Sequence, residues 1–221
     1  MRSLPLLLAA ALLQTASAAP DTARVVRVAC VGDSITYGAE LRDRASESYP
    51  AVLQSLLGDG FEVRNFGVSG ATLLRSGQLS YWDVPEFEYV AEFEPDLIVL
   101  MLGTNDSWLH NWKHGADFAR DLRDMLDHFA ALPSKPRVWV CLPPPVFGMM
   151  RSASNAILDQ QIIPRIRQAA GEKNVPVIDV NGALRGRGEC FPDSVHPDAA
   201  GAAIIARTVF DTLRAGSPPP R

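Results

Sequence analysis

The sequence predicts an α/β protein, a three-layer α/β/α sandwich around a five-stranded parallel sheet. Five short runs rich in β-branched residues, at 25–31, 61–66, 96–102, 137–142 and 175–180, alternate with helix-like segments, the pattern that builds such a sheet. Most of these runs are too apolar for strands wetted on one face, so helices are expected to cover both sides. The 221 residues are 47% hydrophobic and 21% charged, an ordinary globular balance in a chain long enough to bury a core without disulfide staples.

Along the chain, Arg2, the apolar stretch 4–13 and Ala16-Ser17-Ala18 read as a secretory signal peptide over residues 1–18. That stretch is well short of the roughly 20 residues that span a bilayer, so a secreted or periplasmic protein without stable membrane insertion is expected. After the first strand, Pro50 suits a first helical turn, Val52, Leu53, Leu56 and Leu57 supply an apolar face, and Gly58 is a natural stop. From Ala116 onward Phe118, Leu122, Met125, Leu126 and Phe129 recur at helical spacing, with Arg120, Asp121, Asp124, Asp127 and His128 on the other side. A further helix over 157–170 contains Pro164, which should kink or restart it. The last helix is expected from about Asp198 towards Leu213, followed by a frayed tail at 216–221. No repeat, linker or composition shift divides residues 19–215, which are expected to form one domain.

The formal charge of −4, with no basic run, argues against a nucleic-acid partner. Three scattered cysteines, Cys30, Cys141 and Cys190, suggest neither a disulfide framework nor a zinc site. The first two lie in apolar runs and read as small buried hydrophobes, while a bridge from Cys190 stays open.

In an open parallel sheet, ligands bind beyond the carboxyl ends of the strands, so the loops there are where chemistry belongs. The first strand runs into Gly32-Asp33-Ser34, a serine behind a glycine that permits a tight turn. The second is followed by Gly67-Val68-Ser69-Gly70, whose glycines let backbone N–H groups approach a bound oxygen. The third leads to Gly103-Thr104-Asn105-Asp106, with an amide able to donate into the same cleft. Between the fifth strand and the last helix, Asp193-Ser194-Val195-His196 spaces a carboxylate and an imidazole to meet within one turn. Each has an ordinary alternative as a turn or an Asx motif, but all four fall at one edge of one sheet.

Together these four segments resemble the four sequence blocks of the SGNH hydrolases, or GDSL-like esterases, across nearly all of residues 19–215. The resemblance implies a flavodoxin-like sheet and a serine esterase needing neither cofactor nor metal. It implies Ser34 as nucleophile, His196 as base and Asp193 as the group orienting it, with an oxyanion hole from the backbone N–H groups of Ser34 and Gly70 and the side chain of Asn105. Ile35 stands where the family name has leucine, a conservative exchange.

A rival reading takes Gly67-Val68-Ser69-Gly70-Ala71 as the nucleophile elbow of an α/β-hydrolase, with Ser69 attacking. Residues 102–112 and 142–147 also resemble the sialate O-acetylesterase-like branch of carbohydrate acetylesterases, implying O-acetyl groups on glycans as substrate. Trp108 and Trp112 then read equally as a sugar platform or as packing beneath a long loop, His110 as a residue lining the cleft, and Arg42 and Arg44 as contacts for a sugar carboxylate or as solvated surface. Lysophospholipase or thioesterase activity is the enzymatic alternative. A catalytically inactive glycan-binding domain and a flavodoxin-like nucleotide binder are the non-enzymatic ones.

Overall fold

A computed structural model describes residues 24–149 and 152–216, so the expected signal peptide and the last five residues of the chain lie outside the described residues. Five parallel strands, β1 (Val26–Gly32), β2 (Phe61–Gly67), β3 (Leu97–Met101), β4 (Arg137–Cys141) and β5 (Val177–Ile178), line up in the order β2-β1-β3-β4-β5. Among the described residues, ten α-helices connect or flank them: α1 (Ser34–Tyr37), α2 (Arg44–Glu47), α3 (Tyr49–Leu57), α4 (Pro85–Glu92), α5 (Leu109–Trp112), α6 (Phe118–Ala130), α7 (Ser152–Ile157), α8 (Ile163–Lys173), α9 (Val180–Leu184) and α10 (Ala199–Gly216). No helix among the described residues is long and apolar enough to cross a membrane.

Alternation along the strands makes the three layers. On β3, Leu97, Val99 and Met101 face a core shared with α3, α9 and α10, while Ile98 and Leu100 face the opposite core with α4, α6 and α8. The central strands are thus wet on neither face. Edge strand β2 differs, since Arg64 and Asn65 are exposed.

Register brings the functional loops to one level. Gly32 pairs with Gly67 on one side and with Met101 on the other, so β1, β2 and β3 end together. The chain leaves β1 in one direction to reach β2 and crosses to β3 in the other, which opens a crevice above the sheet between their loops.

Two elements differ from expectation. The fifth strand is only two residues long, because Val175 N–H donates to the carbonyl of Ala170 and Asp179 caps α9 by accepting from Gly182 N–H at 2.7 Å. Val180 therefore begins a helix instead of ending a strand. The helix expected over 157–170 starts earlier, at Ser152, and passes through a π turn over Leu158–Ile162 before α8. Pro164 falls in the first turn of α8, where its missing N–H costs nothing.

Candidate active site

Ser34 is the first residue of α1, two positions past the end of β1, and is buried. Asp33 caps this short helix, its Oδ1 accepting from Ile35 N–H at 2.9 Å. The helix folds back tightly because glycine occupies two contact points. A Cβ on Gly32 would stand 2.1 Å from Thr36 Oγ1, and one on Gly67 2.1 Å from Tyr37 N. The Asn65 side chain closes the seat by donating to the carbonyls of Thr36 at 2.8 Å and Tyr37 at 3.3 Å.

The loop before α10 brings the imidazole over this serine. Asp193 Oδ1 accepts from the backbone N–H groups of Val195 (2.9 Å) and His196 (2.7 Å), and Ser194 takes a left-handed conformation at φ 73°. The other carboxylate oxygen meets His196 Nδ1 at 2.5 Å, and His196 Nε2 lies 2.9 Å from Ser34 Oγ. Partial burial pushes the Asp193 carboxyl up, but the hydrogen bonds from the His196 backbone and ring and from Val195 outweigh this and leave it below the usual carboxylate range. An ionised Asp193 only accepts, so the proton sits on Nδ1 and Nε2 is free to accept from the serine hydroxyl. The loop after β4 braces the arrangement, Phe147 N–H donating to the Ser194 carbonyl at 2.8 Å.

Gly70 lies in the loop after β2 with φ 85°, a conformation that favours glycine. Asn105 follows β3 and donates one side-chain hydrogen to the carbonyl of Ala71 at 2.9 Å, which joins the two loops beside Gly70. The amide has a second hydrogen to offer.

Side chains with no catalytic role in the sequence motifs hold these loops. Asp106, fully buried, accepts from Leu73 N–H at 3.0 Å and Leu74 N–H at 2.8 Å. Asn111 donates to the Asn105 carbonyl at 2.8 Å and accepts from Gln78 N–H at 2.8 Å. Asp121, expected on the polar face of α6, is instead buried and accepts from Arg75 N–H at 3.0 Å. Burial raises Asp106 to about 7 and Asp33 to about 6. Asp106 was visible only as an acid beside a strand end, because its partners lie more than thirty residues away.

The remaining candidates resolve one by one. Ser69 is exposed and no helix follows it, so the strand–turn–helix geometry of an α/β-hydrolase elbow is missing, and the His196 ring meets Ser34. Trp112 packs on Phe118 with ring centroids 5.8 Å apart and donates to Gln161 Oε1 at 3.2 Å, which makes it part of the packing under α8. Trp108 is half-buried, with its ring 6.4 Å from that of exposed His110. The Arg44 guanidinium lies 3.8 Å from the centre of the Tyr37 ring, and exposed Arg42 borders a cavity of about 320 Å³ with Pro192 and Asp198. A larger cavity of about 630 Å³ lies between α3 and β2 and includes none of Ser34, Asp193 and His196. All three cysteines are free thiols, Cys190 included, so the bridge left open by the sequence is not formed.

A five-stranded parallel sheet with a Ser-His-Asp arrangement at its carboxyl edge defines an α/β hydrolytic enzyme of the SGNH kind. The chain belongs to the GDSL-like lipase/acylhydrolase family, whose model matches residues 30–204. An acetylxylan esterase of Xylanibacter ruminicola is 34% identical over 207 residues, which are 86% of this chain but only 43% of that protein's length. Among solved structures, an aryl esterase of M. smegmatis superposes with a TM-score of 0.71 at 21% identity, covering 86% of this chain and 99% of that one. A carbohydrate acetylesterase of Sinorhizobium meliloti gives 0.69 at 19% identity, with coverage of 86% and 99%. A catalytic mutant of an acetylxylan esterase of Geobacillus stearothermophilus gives 0.68 at 24%, with coverage of 86% and 94%. At these identities the structural likenesses establish the fold.

Proposed function

We propose that this chain is an exported acetylesterase that removes O-acetyl groups from carbohydrates, with Ser34 as nucleophile. The observation carrying this reading is the unbroken line of contacts from Asp193 through His196 to Ser34 Oγ. Ser34 Oγ attacks the ester carbonyl carbon as its proton passes to His196 Nε2, and the ionised Asp193 stabilises the imidazolium. Negative charge gathers on the carbonyl oxygen, which the backbone N–H groups of Ser34 and Gly70 and the Asn105 amide stabilise. The imidazolium then protonates the departing sugar hydroxyl, leaving an acetyl-serine. Water attacks that ester with His196 again as base, releasing acetate and restoring Ser34.

The carbohydrate assignment draws on the acetylxylan esterase of X. ruminicola as a relative and on the resemblance of residues 102–112 and 142–147 to carbohydrate acetylesterases. Export rests on Arg2, the apolar stretch 4–13 and Ala16-Ser17-Ala18.

Two measurements test the reading. An organophosphonate should label the wild-type protein and not Ser34→Ala, and labelling of a folded Ser34→Ala would remove Ser34 as nucleophile. Acetate release from acetylated xylo-oligosaccharides, set beside p-nitrophenyl esters of rising chain length, should favour acetyl groups. A preference for long acyl chains would replace the acetylesterase with a lysophospholipase or thioesterase.

A further inference from the structure

We propose that Asp106 is a positioning residue for the oxyanion hole, its buried carboxylate fixing the loop after β2 so that the Gly70 N–H and the Asn105 amide point at one oxygen. This inference rests on the assignment of Gly70 and Asn105 as oxyanion donors.

Apart from one bridge between Thr72 and Ser80, the loop between β2 and the next short helical turn at Tyr81–Asp83 has no strand partner. Side chains from the loop after β3, from α5 and from α6 grip its backbone, beside bonds from its own Thr72 and from Trp82. Asn105 takes the carbonyl of Ala71, Asp106 the N–H groups of Leu73 and Leu74, Asp121 that of Arg75 and Asn111 that of Gln78. Gly70 stands immediately before this gripped stretch, at a φ of 85°, and the position its Cβ would take meets only Leu79 within 4 Å. On its N-terminal side Val68 N–H donates to the Gly32 carbonyl at 3.0 Å, and Ala71 N–H closes the turn onto the Val68 carbonyl at 3.1 Å, so Gly70 is held between β1 and the anchored residues that follow it. Asp106 is adjacent in sequence to Asn105, so one short segment holds both the side-chain donor and the mount of the backbone donor.

The chemistry of the residue argues the same way. Both partners are neutral amides, which offset the desolvation of a buried carboxylate only in part, so stability alone is a poor reason for an acid here. A carboxylate is the one side chain of this size that accepts with both ends. In Asp106→Asn one amide keeps its acceptor, while the other faces an NH₂ group and is pushed away. A negative charge near a developing oxyanion offers no electrostatic help, so the contribution is one of geometry.

The test is a double-mutant cycle of Asp106→Asn and Asn105→Ala with p-nitrophenyl acetate, each protein assayed well below its own melting temperature. Asp106→Asn is expected to lower kcat on the order of 10- to 100-fold, within the loss typical of a damaged oxyanion hole, with KM changing less than about threefold. The double variant should fall only a few-fold below Asn105→Ala, since both changes damage one device. Multiplying losses, or a kcat within about twofold of wild type for Asp106→Asn, would overturn the proposal. If Asp106→Asn does not fold, Asp106→Ser, which keeps one acceptor in less volume, enters the same cycle under the same criteria. A near-normal Asn105→Ala defeats the oxyanion assignment itself, whereas an impaired Asn105→Ala with multiplying Asp106 losses defeats this inference alone.

Discussion

At the scale of single residues, the chemistry depends on which atoms carry protons. Asp193 accepts two backbone N–H groups and the imidazole, so it holds His196 with Nε2 turned to Ser34. Asp193→Asn would present an NH₂ group to Nδ1 and favour the wrong tautomer, and kcat is expected to fall on the order of 10⁴-fold with little change in fold, checked by steady-state kinetics beside circular dichroism. Asn105→Ala removes the side-chain donor proposed for the oxyanion, and a loss on the order of 100- to 1,000-fold in kcat is expected. A variant turning over at nearly the normal rate would take Asn105 out of the mechanism. Ser34, Asp193, His196 and Asn105 were legible in the sequence as candidates because each sits in a short motif beside a strand or helix end, and the structure brings the first three into contact. Asp106, Asn111 and Asp121 were not read as loop anchors, because their bonds close across 32 to 46 residues and leave no local pattern.

At the scale of elements, the site depends on how α1 seats against β2. The seat has no room for a side chain at Gly67, where a Cβ would stand 2.1 Å from a backbone nitrogen that cannot rotate away. Gly67→Ala is therefore expected to displace α1, destabilising the protein by about 1–3 kcal/mol and lowering kcat together. Urea unfolding and kinetics on the same preparation check it, and an unchanged unfolding midpoint would mean that the helix finds another seat at no cost. The strands were readable as short apolar, β-branched runs and the amphipathic α6 from its helical period. The short helices α1, α2, α5 and α9 were not, since pieces of four or five residues have too few positions to show a period. The end of β5 was misread for a related reason. Val177, Ile178 and Val180 look like one apolar run until Asp179 caps the helix between them.

At the scale of the whole molecule, two buried carboxyls sense each other's charge, and burial raises Asp33 to about 6 and Asp106 to about 7. Both titrate near 3.8 when exposed. From about pH 4 to about 7 the folded protein thus retains protons that the unfolded chain has lost. Unfolding then releases protons, and the contribution of these two groups to stability declines as pH rises through this window, then levels off. Asp106→Asn is expected to flatten that decline, measured as urea midpoints across the window. An unaltered slope would show that Asp106 titrates in the folded protein as it does in the unfolded chain. Asp193 has the opposite sign, since its lowered value adds stability above the ordinary carboxylate range that is lost on acidification.

The sequence by itself determined the layers of this protein and the kind of chemistry it carries, because strand and helix periods, turn glycines and short polar motifs are local properties of a chain. Only the tertiary structure decided that the loops after β1, β2 and β3 start from one level, that Ser34 rather than Ser69 meets the imidazole, and that Trp112 belongs to the packing under α8. Those outcomes depend on strand register and on bonds between segments far apart in the chain, and such distances become short only after the chain has closed on itself.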